Sequence, residues 1–493
     1  MPPNIVFIMT DQQRFDMLGC NDATFVKTPC LDRLAASGVN FKCAYTTTPV
    51  CTPARAALFT GLYSTSAGAF TNQQPLADGI PNLGELAQAA GFATGYVGKW
   101  HLDGPAGGYY GTGIAPRGFP QAVWYDGKKF QDEVGAAGFK KWHAGKNLNE
   151  SDCWGTRVAD RGCRFIEEHA RGERPFFLVV SFDEPHGPSV APERYYDLYR
   201  GTQRPRQPNF DDDLSGKPAT HRMLEEFSDH GGRVPAGENP NNSPPYYGCN
   251  SYIDAQIGRV VEAVDRCCPE NTVIVYTSDH GDHAGAHGLL AKGPTMYEEI
   301  VHIPLIIRAP GVTPAGADCH GLISHIDLAP TLFRLAGIPA PAAHGVHGGR
   351  ELFTFQGCDQ SALLADPAAK IRDAVFLEYT RFEMPQHTRW GFLPIRCIRT
   401  DRYKLVVNLV DSDELYDLAA DPYENVNRIQ DASLAAVRNG LHDRLLDWMD
   451  RRFDPFRGNC WWQRPWRPEK LMPPQYNPVA AAAAVAATAT RAE

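Results

Sequence analysis

Four short apolar runs, each cut off at once by polar or charged residues, constrain the fold of this chain most. They are IVFIMT before Asp11, ATGYVG before Lys99, FFLVVSF before Asp183 and His186, and TVIVYTS before Asp279. A strand buried on both faces carries side chains of one kind in both directions, so continuous apolar runs of this length predict parallel strands rather than half-exposed ones. Helical patterns separate them. In 28–38, Thr28 reads as the cap, Pro29 opens the first turn and Gly38 stops it. In 82–91, Asn82 and Glu85 form a capping-box pair before Gly91. Residues 251–266 and 326–337 are further amphipathic helices. Strands alternating with helices predict an α/β fold with a large, mostly parallel sheet flanked by helices.

The pattern changes along the chain. Residues 200–247 are rich in Pro, Asn, Asp and Gly, and read as a loop-rich insertion able to serve as a lid. The catalytic domain is expected over 1–369. From about residue 370, AVFLEY, CIRTDRYKLVVN and ELYDL predict a small antiparallel sheet with a helix near 433–450, giving an α+β subdomain over 370–455. Residues 456–493 read as an arm, with Trp461, Trp462 and Trp466 packing on its own body or on a neighbour, followed by an Ala-rich tail. A homo-oligomer built through that arm is one expectation.

Parallel sheets bind ligands at the carboxyl ends of their strands. The four runs deliver Asp11 and Gln12, Lys99 and His101, His186, and Asp279 and His280 to that edge. Two carboxylates, an amide oxygen and an imidazole suit one divalent cation, with Lys99, His101, His186 and Lys292 around an anionic group. Net charge is −9 and the pI is about 6.0, which excludes a general basic field for nucleic acid or an anionic membrane. No apolar stretch is long enough to span a bilayer. The N-terminus lacks a basic region before its short apolar run, and thirteen irregularly spaced cysteines suit reduced thiols, so a cytoplasmic location is expected.

Cys51 stands in CTPAR, residues 51–55. At the start of a helix on this edge its side chain meets the helix's positive end, and Arg55 falls on the same face. Two readings follow from the residues: a thiolate nucleophile, or a position that is no longer cysteine in the working protein.

CTPAR and GYVGKWH at 95–101 resemble the signature of the formylglycine-dependent sulfatases of the alkaline phosphatase superfamily. PNIVFIMTDQQR at the N-terminus, SFDEPHGP at 181–188, TSDHGDHAGAHG at 277–288, KGPTMYEE at 292–299, PLIIRAPG at 304–311 and ELYDLAADPYEN at 414–425 are similar to family segments in the family's order. The resemblance implies an alkaline-phosphatase-like fold and hydrolysis of a carbohydrate, aryl or alkyl sulfate. It implies that a separate maturation enzyme oxidises Cys51 to 3-oxoalanine (formylglycine). Asp11, Gln12, Asp279, His280 and the modified Cys51 match the metal positions. Arg55 and Lys99 match residues that hold the formylglycine, and His101 the one that bonds its hydroxyl. His186 and Lys292 match the sulfate-holding residues that assist the leaving group, and Asn72 a further sulfate contact. One hydroxyl of the hydrated aldehyde attacks sulfur in line, and loss of the other's proton lets sulfate depart, a route a serine lacks. Gln12 stands where many relatives carry aspartate; calcium is the first expectation, with manganese or magnesium next. A phosphonate monoester or phosphodiester hydrolase of the same superfamily is the alternative, followed by a non-catalytic binder of sulfated ligands. His283 and His287 read as structural, and Cys20, Cys30 and Cys43 as core or loop thiols.

Overall fold

The computed structural model describes residues 2–471 except 22, 24, 202–205, 227–230, 234–243, 340–345, 348–349, 352–354 and 384–391. Its main sheet has seven strands: β1 (Asn4–Asp11), β2 (Val39–Phe41), β3 (Ala93–Gly98), β4 (Phe176–Pro185), β5 (Thr272–Ser278), β6 (Leu305–Arg308) and β7 (Ala317–Cys319). Their order across the sheet is β7-β2-β6-β5-β1-β4-β3. The four apolar runs lie side by side, from the middle of the sheet to its β3 edge: β1 pairs in parallel with β4 and with β5, and β3 pairs in parallel with β4. Only β6 runs against its neighbours, antiparallel to both β2 and β5.

The side chains of β1 alternate between two cores. Ile5, Phe7 and Met9 pack with Ala56, Leu58, Leu83, Leu328 and Leu332 on one face. Val6 and Ile8 pack with Leu31, Val158, Ile253, Ile257 and Val260 on the other. Helices therefore cover both faces. On the first lie α2 (Cys51–Thr60), α3 (Leu83–Ala89) and α6 (His325–Ala336); on the second lie α1 (Pro29–Ala36), α4 (Trp154–His169) and α5 (Pro244–Cys267). Burying a side chain such as Ile or Phe on either face contributes about 1.5–3 kcal/mol, which is why an unbroken apolar strand is stable only here.

Beyond this body, β8 (Ala374–Tyr379), β9 (Ile395–Thr400), β10 (Tyr403–Asn408) and β11 (Glu414–Asp417) form an antiparallel sheet in chain order. The helix α7 (Ala435–Arg451) packs on it through Leu441, Leu445 and Met449. Trp461 and Trp462 enter the same cluster, and Arg464 pairs with Asp413. The arm thus packs on its own body. The Ala-rich tail lies outside the described residues. Within 200–247 the described part holds a short helix (Ala219–Arg222) and a strand (Gly231–Arg233) paired with Leu289–Ala291, just ahead of Lys292.

Candidate active site

The carboxyl ends of β1, β3, β4 and β5 converge on the first turn of α2. Gly98 makes the approach of β3 to β4 possible: its φ is 108°, and a Cβ there would fall 1.7 Å from the Ser181 carbonyl oxygen. Lys99 N then donates to Ser181 O at 2.9 Å, which turns the Lys99 side chain inward. Gln12 and His101 both adopt left-handed backbone, with φ of 67° and 60°. Such strain in non-glycine residues persists where surrounding contacts enforce it, commonly at functional sites. For Gln12 those contacts are its N–H to Asp279 Oδ1 at 3.1 Å and Tyr246 Oη to its carbonyl at 2.9 Å.

Cys51 is the first residue of α2 and is almost fully buried. Its Sγ lies 3.0 Å from Lys292 Nζ, 3.3 Å from His280 Nε2 and 3.7 Å from Asp11 Oδ1. Burial, then Asp11, pushes the thiol up to about 11. Without a cation the buried thiol is held in its neutral form.

Arg55 makes no hydrogen bond to the Cys51 sulfur. Its guanidinium, fully buried, bonds instead to Asp279 Oδ2 at 3.0 Å, Asp11 Oδ2 at 2.9 Å, the Lys99 carbonyl at 2.7 Å and Ser181 Oγ at 3.0 Å. The two strand-end carboxylates draw the cation past the helix terminus. It clamps three strand ends together and leaves the Oδ1 atoms of both aspartates facing Cys51 and His280.

Those atoms make a metal-ligating group. One ligand atom each of Asp11, Cys51, Asp279 and His280 lie within 4.8 Å of one another, all buried. His280 Nε2 stands 3.9 Å from Asp11 Oδ1 and 3.7 Å from Asp279 Oδ1. Ligands about 2.2 Å from one ion stand roughly 3.1–3.6 Å apart, so a small contraction completes the site. The electrostatics agree. Burial opposes ionisation of Asp11, but Lys99, His186 and Arg55 outweigh it and hold its carboxyl well below the usual range. Burial and the neighbouring Asp11 push Asp279 up to about 7. Two carboxylates that resist joint ionisation fit a divalent cation between them. Burial, then Lys292, holds His280 well below the usual imidazole range, and its Nδ1 donates to the Gly281 carbonyl at 2.8 Å. Its bare Nε2 then faces the cluster. Gln12 reaches it less directly: its Oε1 accepts from Lys292 Nζ at 2.8 Å, and its Nε2 donates to Asp282.

Cations and imidazoles surround the sulfur. Lys99 Nζ forms ion pairs with Asp11 Oδ2 at 2.8 Å and Asp183 Oδ1 at 3.0 Å. Burial, with Lys99 and Arg55 next, holds His101 well below the usual range, and its Nδ1 has no hydrogen-bond partner. His186 sits at the mouth, its Nε2 4.0 Å from Asp11 Oδ1 and its Nδ1 donating to the Gly187 carbonyl. Burial, then Lys292 and Lys99, keeps it neutral as well. Asn72 lies beside the start of α2, where its Oδ1 accepts from Thr52 N at 3.0 Å, so its amide NH₂ end is the one available to an anion.

Two neighbours escape sequence reasoning. Tyr109 donates its hydroxyl to Asp183 Oδ1 at 2.5 Å, and its ring meets Lys99, His101 and His186. It comes from a glycine-rich loop without periodicity or motif. Asp282 holds Gln12 by a contact with no local sequence signal. His287 and His283 are structural, bonded to Asp212 and Asn209, and to Thr295 and the Ala291 carbonyl.

The Sulfatase family model matches residues 3–338, and the model of the N-sulphoglucosamine sulphohydrolase C-terminal region matches residues 285–451. The chain is 40% identical over 475 residues to the uncharacterized sulfatase YidJ of Escherichia coli (strain K12), covering 94% of this chain and 90% of that protein. Two solved structures share the fold. A phosphonate monoester hydrolase from Silicibacter pomeroyi aligns with a TM-score of 0.77 at 24% identity, covering 92% of this chain and 96% of that one. A structure in complex with its substrate D-glucosamine-2-N,6-O-disulfate aligns with a TM-score of 0.73 at 23% identity, covering 92% and 99%. With the family matched along most of its length, the chain belongs to the type I sulfatases of the alkaline phosphatase superfamily and is a sulfuric ester hydrolase.

Proposed function

We propose that the chain hydrolyses a sulfate monoester with formylglycine at position 51 as the nucleophile. The observation that carries this is the setting of Cys51: the first residue of a helix, touched by Lys292, His280 and Asp11, within a group fit to ligate a cation. Sγ stands in for an oxygen of the modified residue. A hydrated aldehyde supplies a hydroxyl nucleophile together with a second hydroxyl through which sulfate is later expelled. Asp11, Asp279 and His280 would hold a divalent cation, which supplies Lewis acidity beside that hydroxyl; calcium is the first choice, and the imidazole donor brings manganese or magnesium into range.

The remaining work falls to the chain's own residues. Lys99 and Lys292 balance the sulfate's charge, and the N-terminus of α2 adds its dipole. In-line displacement sets the leaving oxygen on the far side of sulfur from position 51. Lys292 touches Sγ, whereas His186 opens to the mouth, so His186 faces the leaving group; it takes up a proton at Nε2 when the charge of the bound sulfate offsets Lys292 and Lys99, and passes that proton to the departing oxygen. His101, buried and neutral, accepts the proton whose loss releases sulfate. The leaving group is a sulfated saccharide or an aryl or alkyl alcohol.

Sulfate is favoured over phosphonate because Lys99 and His101 place a cation and a base where the phosphonate hydrolases tend to carry neutral residues. Two measurements test the reading. Mass spectrometry of the tryptic peptide 43–55, after co-expression with a formylglycine-generating enzyme, is expected to show an aldehyde at position 51. Rates on an aryl sulfate and an aryl phosphonate are then compared; an intact thiol in active protein, or a strong phosphonate preference, overturns the proposal. The thirteen cysteines are all free, which supports a reducing compartment.

A further inference from the structure

A lysine ammonium has three N–H donors. The Lys99 ammonium is ion-paired with two carboxylates, standing 2.8 Å from Asp11 Oδ2 and 3.0 Å from Asp183 Oδ1. Asp11 belongs to the cation-binding group, but Asp183 touches none of it. Asp183 is buried, lies in the last turn of strand β4, and shares the same oxygen with the Tyr109 hydroxyl at 2.5 Å. The Tyr109 ring lies against the ammonium, 3.7 Å from nitrogen to centroid. Its ring stands 5.3 Å from that of His101 and 5.2 Å from that of His186. One tyrosine thus braces three of the residues expected around the sulfate.

We propose that Asp183, locked in place by Tyr109, is a positioning residue that holds the Lys99 ammonium where it meets a sulfate oxygen. Two carboxylates and the Tyr109 ring together fix where the ammonium stands. Without Asp183 the ammonium is paired with Asp11 alone, the carboxylate that the cation also needs, and is free to shift away from the sulfate. A carboxylate this close to an anion-binding lysine would otherwise be adverse, since it competes with the sulfate for the same charge. Its retention is explained by orientation rather than by affinity. Neither residue touches the reacting atoms; both act through Lys99.

The inference rests on Lys99 being a sulfate ligand, as in the proposed mechanism, and the experiment separates the two. Steady-state rates on an aryl sulfate are measured for Asp183→Ala, Asp183→Asn, Lys99→Ala and the double variant Asp183→Ala/Lys99→Ala, after the modification at position 51 and the metal content of each have been verified. Asp183→Ala is expected to lower kcat/KM roughly ten- to hundredfold. Asp183→Asn, which keeps an acceptor oxygen for both partners, is expected to recover most of that loss. In the Lys99→Ala background, Asp183→Ala is expected to change kcat/KM by less than about twofold. A full-sized further loss in that background would show a general structural role and overturn the inference. So would an Asp183→Ala protein as active as the parent. If Lys99→Ala alone is without effect, the mechanism's use of Lys99 fails first. Should Asp183→Ala not fold, Tyr109→Phe removes a single hydroxyl and enters the same cycle, with the same non-additivity required.

Discussion

Glu184 is a carboxyl group built to be neutral, and replacing it by glutamine gives a measurable signature. It is fully buried at the end of β4; its Oε1 accepts from Gly155 N at 3.0 Å, while its Oε2 has no partner. Burial, with Asp183 next, pushes it up to about 8. The sign follows from proton counting. Between the ordinary carboxyl range and that value, the folded chain holds a proton the unfolded chain has lost. Stability from this group is therefore greatest at low pH and is lost as pH rises through about 8. The slope approaches ~1.4 kcal/mol per pH unit, and integration between pH 5.5 and pH 7.5 gives about 2.5 kcal/mol. Glutamine has the same shape and no titration in this range. Denaturant unfolding of parent and Glu184→Gln at the two pH values isolates the term, because other titrating groups cancel in the difference. The parent is expected to lose about 2.5 kcal/mol more than the variant on going from pH 5.5 to pH 7.5. Equal losses in both proteins would refute the reasoning.

Three further outcomes are expected. Arg55→Lys keeps the charge but not the fork that bridges Asp11, Asp279 and the Lys99 carbonyl, so it costs about 3 kcal/mol in denaturant unfolding and abolishes most activity. Chelation should lower the melting temperature, and a divalent cation at one hundred times its dissociation constant should restore about 2.7 kcal/mol; Asp279→Asn should remove that metal-dependent gain. Trp461→Ala empties a fully buried position against α7 and the C-terminal sheet, costing about 3–5 kcal/mol, while kcat of the protein still folded at low temperature stays at the parent value.

The centre of the fold was legible because its strands are buried on both faces. IVFIMT, ATGYVG, FFLVVSF and TVIVYTS leave no other sheltered geometry, and they form β1, β3, β4 and β5, with β1 running on to Asp11 and β4 to Pro185. The capping box at Asn82 was legible for a local reason: its Oδ1 accepts from Gly84 N and Glu85 N, and Glu85 returns a bond to Asn82 N. The direction of β6 was not legible, since a buried apolar run reads alike in either sense. Thr28 shows local reasoning overridden from a distance. It occupies the cap position of α1, yet its Oγ1 accepts from Gly19 N, while Asp254 of α5 takes the N–H groups of Cys30 and Leu31.

The site divides along the same line. Residues placed at strand ends by the apolar runs, Asp11, Lys99, His186 and Asp279, could be brought together from sequence because the sheet itself gathers them. What sequence does not encode is which charge each of them answers. Helix geometry alone returns Arg55 to Cys51, but two carboxylates delivered by β1 and β5 hold the guanidinium, and the positive end of α2 does not compete for a cation. The same competition explains Lys99, whose ammonium is held between Asp11 and Asp183, an aspartate to which its segment SFDEPHGP assigned no role. Motifs record the residues that meet the substrate. The groups that aim them, Tyr109, Asp183 and Asp282, arrive through loops and strand ends where only the folded geometry shows the bond.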